Sequence, residues 1–308
     1  MGIVAREFGS LITAMVTAFD ADGELDLGAT VEVAKFLEAS GNSALVLTGT
    51  TGEASTLTDS EKIAIWEAVA NNVTIPVIAG SGSNDTPHSA HMTRAASETG
   101  VAAILAVAPY YNRPPQSGIL GHFEAIASST SLPVIIYDIP IRTGRKVAAE
   151  TLYQLVARNT NVVALKDAAG SPAATAEVAA HLGAQFDIYS GDDSLTLPLL
   201  SIGAAGVIGV ATHWASPFFA EMIAAFARGD TSRAIAVNAA LFGSYNYETS
   251  ESAPNPIPTK VMMRQLGFSV GACRLPLGAP REGLEIEAAR VLAELKGAGE
   301  DLMIKANF

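Results

Sequence analysis

Eight short apolar runs, separated by stretches of helical pattern, constrain this chain more than any other feature. They are Ile12–Phe19, Ala44–Gly49, Pro76–Gly82, Ala102–Pro109, Pro133–Pro140, Val162–Ala169, Phe186–Asp193 and Gly206–His213. Each is rich in Val, Ile and Leu, as strands of a parallel sheet covered on both faces are. The segments between them read as helices. One spans 59–72 with Ile63, Ile65, Trp66, Val69 and Ala70, and Thr58 with Glu61 has the form of a capping box at its start. Eight β-then-α units predict an α/β fold, a (β/α)8 TIM barrel. A doubly wound sheet is the alternative, weakened because no Gly-x-Gly-x-x-Gly follows the first run. Residues 1–225 are assigned to the barrel. Residues 226–308 form a C-terminal helical appendage, and helices are expected at 217–228, 231–242 and 285–296. No low-complexity linker separates the two parts, so the appendage is expected to pack on the barrel.

Composition narrows the function. Of 308 residues 49% are apolar and 16% charged, which supplies a large core. A net charge of −12 argues against nucleic acid or an anionic membrane as partner. It also requires locally placed cations for any anionic substrate. The single cysteine, Cys273, excludes an intramolecular disulfide and fits a reducing compartment. Met1 to Glu7 lacks the apolar stretch of a signal peptide, and Arg6 stands where a myristoylation motif needs Ser or Thr. No apolar run reaches the roughly 20 residues that span a bilayer. A soluble cytoplasmic protein is the expectation.

In a barrel of this kind the chemistry lies at the C-terminal strand ends. Lys166 ends the sixth run, where an ammonium is costly to desolvate and a lowered pKa leaves a neutral, nucleophilic amine. Tyr137 holds the corresponding place in the fifth run. An amine nucleophile beside a phenolic proton carrier points to Schiff-base chemistry. The alternative for Lys166 is pairing with Asp167 or extension to the barrel rim. Gly49-Thr50-Thr51-Gly52 offers hydroxyls and successive N–H groups suited to a carboxylate or phosphate, or is a plain capped turn. Gly80-Ser81-Gly82-Ser83-Asn84 reads as a plain turn. Arg142, on a loop flanked by Pro and Gly, either clamps a substrate carboxylate or is a solvated charge.

The five histidines make poor metal ligands. His88 and His91 are three apart on an expected helix with no completing acid, and His122, His181 and His213 are isolated. Neither a His-Glu-x-x-His motif nor a cysteine pair is present, so no metal is expected. Asp192-Asp193 reads as a helix cap in preference to a cation site. Gly-x-Ser-x-Gly elbows and P-loops are missing, which disfavours serine hydrolases and NTPases.

Gly49-Thr50-Thr51-Gly52-Glu53, Pro109-Tyr110-Tyr111-Asn112-Arg113-Pro114, Tyr137 through Gly144, Lys166, Ser190-Gly191-Asp192-Asp193 and Asn255-Pro256-Ile257-Pro258-Thr259-Lys260 follow one another in an informative order. In them the chain resembles the dihydrodipicolinate synthase family of pyruvate-dependent class I aldolases, from about Gly9 to about Pro280. The resemblance implies condensation of pyruvate with L-aspartate-4-semialdehyde to give 4-hydroxy-tetrahydrodipicolinate, the first committed step of lysine and diaminopimelate biosynthesis, without a cofactor. It implies Lys166 as the Schiff-base lysine and Tyr137, Thr50 and Tyr111 as its proton relay, Tyr111 reaching in from a neighbouring subunit. Thr51, Ile208 and Gly191 match substrate-contacting positions, and Arg142 the arginine that holds the semialdehyde carboxylate. A homotetramer built from tight dimers is implied as well.

N-acetylneuraminate lyases of the same family usually carry Ser at the place of Thr51 and lack a counterpart of Arg142. A sugar-acid aldolase of the 2-keto-3-deoxygluconate type is the other alternative. Three departures stand out. Ala18 replaces a common proline, Asp138 a common asparagine, and Ala54, Asp59, Lys62 and His88 occupy positions that in lysine-inhibited members bear other polar groups. Lys62 would repel a cationic effector, although Asn84 and Tyr110 are retained, so weak or absent feedback by L-lysine is expected.

Overall fold

The computed structural model describes residues 7–308; the expectation that the first residues carry neither a signal peptide nor a myristoylation motif therefore lies, for 1–6, outside the described part. Eight strands close into one parallel barrel in sequence order, β1 Leu11–Ala14, β2 Ala44–Leu47, β3 Val77–Gly80, β4 Ala103–Val107, β5 Val134–Asp138, β6 Val162–Asp167, β7 Asp187–Ser190 and β8 Gly206–Gly209. The doubly wound alternative is thereby excluded, because β1 pairs with both β2 and β8.

Alternation within each apolar run builds two layers. In β2, Ala44 and Val46 join Ile12, Ile78, Leu105, Ile135 and Ile208 inside the barrel. Leu45 and Leu47 face outward against the helices, packing with Val33, Leu37, Trp66 and Val69. Period-two side chains with both faces buried are what a continuous apolar run encodes. The helix Asp59–Ala70 begins with the capping box read from Thr58 and Glu61: the Thr58 side chain accepts from the Glu61 N–H, and the Glu61 carboxylate accepts the Thr58 N–H at 2.7 Å.

The strands are shorter than the runs. β1 ends at Ala14 and β8 at Gly209, and His213, expected at the end of a strand, lies in the helix Thr212–Ala227 instead. Its ring is fully buried, and Nε2 accepts the Val16 N–H at 3.1 Å. The apolar character of residues 15–19 therefore serves packing between loop and helix. That helix starts before the expected 217 and kinks at Ala215, two residues ahead of Pro217.

Beyond it, helices Thr231–Ala240, Phe242–Tyr247, Ile257–Gln265 and Leu284–Leu302 enclose a second apolar core with Trp214, Phe218, Phe219 and Met222. No helix among the described residues is long and apolar enough to cross a membrane.

Candidate active site

The placement of Lys166 depends on a slip in register. β5 pairs Val134 with Val162 but Ile135 with Ala164, so Val163 is passed over. With unbroken pairing Lys166 would share the outward face of Val162; with the slip, Ala164 and Lys166 turn inward and Lys166 lies opposite Tyr137. Lys166 is 4% exposed, and its Nζ lies 4.4 Å from the centroid of the Tyr137 ring. It has neither paired with Asp167 nor reached the rim. Asp167 is bound instead to the Thr175 hydroxyl (2.6 Å) and the Ala169 N–H (2.8 Å).

Burial brings the Lys166 ammonium down from 10.5 to about 8. The Asp193 carboxylate opposes this, the Arg142 guanidinium adds to it, and Glu248 opposes it. At pH 7.5 roughly a quarter of such amines are neutral, against about one in a thousand at the ordinary value. That gain makes the amine a usable nucleophile at neutral pH. Burial raises the Tyr137 phenol to about 12, against the Arg142 charge and a hydrogen bond with the Thr50 side chain. The phenol therefore stays protonated and able to give a proton through a hydrogen bond, with Thr50 as its neighbour.

Thr50 sits on the turn after β2. This turn closes on itself, Glu53 N–H donating to Thr50 O (3.1 Å) and Ala54 N–H to Gly49 O (3.2 Å). Thr48 enters it at φ +50°, held by the Trp66 indole N–H on its hydroxyl at 2.8 Å. Gly80 must lack a side chain there, because a Cβ would stand 2.5 Å from Thr48 O.

A cavity of about 330 Å³ opens at this end of the barrel, lined by Thr50, Tyr137, Arg142, Asn255 and, further out, Tyr110 and Lys62. Arg142 lies on the short helix Pro140–Thr143 and donates to Asn255 O at 3.3 Å, so its guanidinium is aimed into the cavity by the C-terminal region. Asn255 also donates to the Thr51 hydroxyl (2.9 Å) and accepts from Thr259 (2.9 Å). The long-range partnership of Asn255 with Thr51 and Arg142 escaped the sequence reading, although the Asn-Pro-Ile-Pro run that carries it was visible.

The remaining expected site residues are placed differently. Thr51 is buried and committed to Asn255, which fixes the turn. Ile208 is fully buried in the barrel interior on β8. Gly191, after β7, donates its N–H to Asp167 O at 2.7 Å and packs on the stem of Lys166; a Cβ there would stand 2.9 Å from Lys166 Cγ and 3.0 Å from Cε. Tyr111 is not brought to the others: it stands at φ +72° and is 90% exposed. Asp192 caps as expected, accepting from Ser194 N–H at 3.0 Å, but Asp193 does not: it turns inward to the N–H groups of Val210 and Ala211. Among the described residues no group of three His, Cys, Asp or Glu is arranged to hold a metal, and His88 is turned to Asp59 at 3.0 Å.

Comparison with known proteins agrees with this geometry. The model of the Dihydrodipicolinate synthetase family matches residues 7–294. The chain is 41% identical over 290 residues to 4-hydroxy-tetrahydrodipicolinate synthase of Bacillus subtilis (strain 168), covering 94% of this chain and 99% of that protein. Among solved structures it resembles a dihydrodipicolinate synthase of Bacillus anthracis (TM-score 0.89, 40% identity, 93% of this chain and 98% of that one). It also resembles the enzyme from Cyanidioschyzon merolae with lysine bound (TM-score 0.91, 39% identity, 94% and 98%). The chain belongs to the dihydrodipicolinate synthetase family.

Proposed function

We infer that the protein condenses pyruvate with L-aspartate-4-semialdehyde to give 4-hydroxy-tetrahydrodipicolinate, for lysine and diaminopimelate biosynthesis. The observation that carries this reading is the buried Lys166 amine, brought down to about 8 and facing the Tyr137 ring. The neutral amine adds to the pyruvate ketone and water leaves, giving an iminium. Loss of a methyl proton then gives an enamine whose carbon attacks the aldehyde. The substrate's own amine displaces Lys166 and closes the ring. Tyr137 and Thr50 carry the protons of these steps, and Thr51, Ile208 and Gly191 shape the pyruvate end. Arg142 binds the semialdehyde carboxylate, which an overall charge of −12 makes necessary. The curated relatives carry the synthase name, so a sugar-acid aldolase is not favoured.

Tyr111 completes the relay in a second copy of the chain, within a homotetramer built from dimers in the cytoplasm. Feedback by L-lysine is weak or absent, because Lys62, a cation in the cavity wall, faces any cationic effector. Half-inhibition by submillimolar lysine would contradict this. The function itself is tested by pyruvate consumption with the semialdehyde and, beside it, a panel of sugar aldehydes, for wild type and Lys166→Ala, with borohydride trapping of the adduct. Turnover on the semialdehyde and an adduct, both lost in the variant, are expected. Turnover confined to a sugar aldehyde overturns the substrate, and no adduct overturns the mechanism.

A further inference from the structure

Two carboxyl groups outside the relay act on the charge of Lys166: Asp193 and Glu248. Asp193, in the 3₁₀ turn Asp193–Leu195 after β7, is 2% exposed. Its Oδ2 accepts the N–H groups of Val210 (2.9 Å) and Ala211 (2.6 Å) just past β8. Its Oδ1 is buried and receives no N–H or hydroxyl donor; the same holds for Oε2 of Glu248, which follows the helix Phe242–Tyr247. Gly209 leaves room for the pair, since a Cβ there would stand 2.4 Å from Asp193 Oδ1. Two buried acceptors without donors are costly when both are ionised. One proton satisfies both, and the two carboxyl groups are near enough for each to act on the other.

The groups facing Glu248 decide where that proton resides. Asp193 and Asp192 both disfavour a second negative charge, burial does so more strongly, and only the Ala211 N–H favours it. Tyr245, on the preceding helix, feels the same three carboxyl groups, and its phenol stays neutral. Lys166 is the cation across from the pair. Burial and the neighbouring carboxyl groups push Glu248 toward its protonated form, while Asp193 Oδ2 keeps two N–H donors.

We propose that Asp193 and Glu248 share one proton and hold a single negative charge beside Lys166, acting as positioning residues for its Schiff base. Two charges would keep the amine protonated and unreactive. None would leave the cationic iminium in a buried site without a counter-charge. One charge allows both states, and the proton on Glu248 sets the number at one. This rests on the Schiff-base reading of Lys166.

Infrared difference spectra at pH 8 test the pairing. A C=O stretch of a protonated carboxyl is expected in wild type and lost in Glu248→Gln; Asp138, with its value of about 6, is ionised at that pH. The pH profile of kcat/KM for pyruvate tests the consequence. Glu248→Gln keeps Asp193 charged, so its acidic limb stays in place. Asp193→Asn/Glu248→Gln removes the charge and moves that limb down by about one pH unit, with kcat at least about tenfold lower. A merely structural role would lower kcat without moving the limb. An unmoved limb in the double variant, or no carboxyl band in wild type, overturns the proposal; the band alone decides if the double variant does not fold. Borohydride trapping in wild type separates the two failures: an adduct without the band sinks only the shared proton, and no adduct sinks the Schiff base.

Discussion

Gly191 packs on the stem of Lys166 and leaves no room for a side chain of its own. A methyl there would stand 2.9 Å from Cγ and 3.0 Å from Cε of Lys166, nearer than carbon atoms approach. Gly191→Ala should therefore displace the amine by a fraction of an ångström and lower kcat by about 10²-fold. Far-ultraviolet circular dichroism should remain that of wild type, and an unchanged kcat would refute the account. Asp138, next along β5 from Tyr137, offers a different test. Burial raises its carboxyl from 3.8 to about 6, against the Val147 N–H and Lys146, the latter 3.8 Å away. The folded protein thus binds this proton more tightly than the unfolded chain. The stabilising contribution is full below pH 3.8 and is lost as pH rises through about 6. Asp138→Asn should be more stable than wild type at pH 8, by up to about 3 kcal/mol, and the gap should shrink at pH 5. Urea unfolding at the two pH values reads it; a gap that grows on acidification contradicts the sign. Lysine and tyrosine were legible in sequence because a polar group ending an apolar run is conspicuous. Asp193 was not, because its partners lie 17 and 18 residues away and its burial has no local signature.

Among the elements, the strands were legible as runs because burial on both faces removes polar alternation. Their ends were less so, since residues such as Val16 are equally apolar when packed on a helix. The slip at Val134/Ile135 left no mark in composition, yet it turns Lys166 inward. Long-range ties between the C-terminal helices and the barrel were equally invisible. One of them is the buried ion pair Lys260–Glu53, at 2.6 Å with both side chains at most 1% exposed. Lys260 also donates to Ala272 O and lies over the Phe19 ring, and Glu53 accepts the Arg274 N–H. Glu53 directly follows the Gly49–Gly52 turn, so the pair locks that turn to the helix Ile257–Gln265 next to Asn255. Lys260→Met strands a buried carboxylate and should cost about 3–5 kcal/mol in urea unfolding. Adding Glu53→Gln should recover part of the loss. A double variant no more stable than the single one would show that the charge is not the cause.

At the scale of the whole molecule, the proposed dimer assigns Tyr111 to the site of the neighbouring chain. Tyr111 is held at φ +72°, a conformation that costs a non-glycine residue of order 1 kcal/mol, and presents a 90% exposed ring to solvent. On the proposed reading that exposed ring enters a second copy related by a two-fold axis. Reciprocal donation then makes a genetic test possible. Lys166→Ala dimers lack the nucleophile in both sites, and Tyr111→Phe dimers lack the donated hydroxyl in both. In a mixed dimer one site carries both defects. The other pairs an intact Lys166 with an intact Tyr111 from its neighbour. Equal amounts of the two variants, dissociated and reassociated at random, should therefore regain about a quarter of wild-type turnover, since half the dimers are mixed and each has one intact site. If Tyr111 served its own chain, neither subunit of the mixed dimer would be whole and mixing would restore nothing. Sedimentation of the wild type should accompany the experiment, because a species of single-chain mass at full activity would leave the exposed ring without this role.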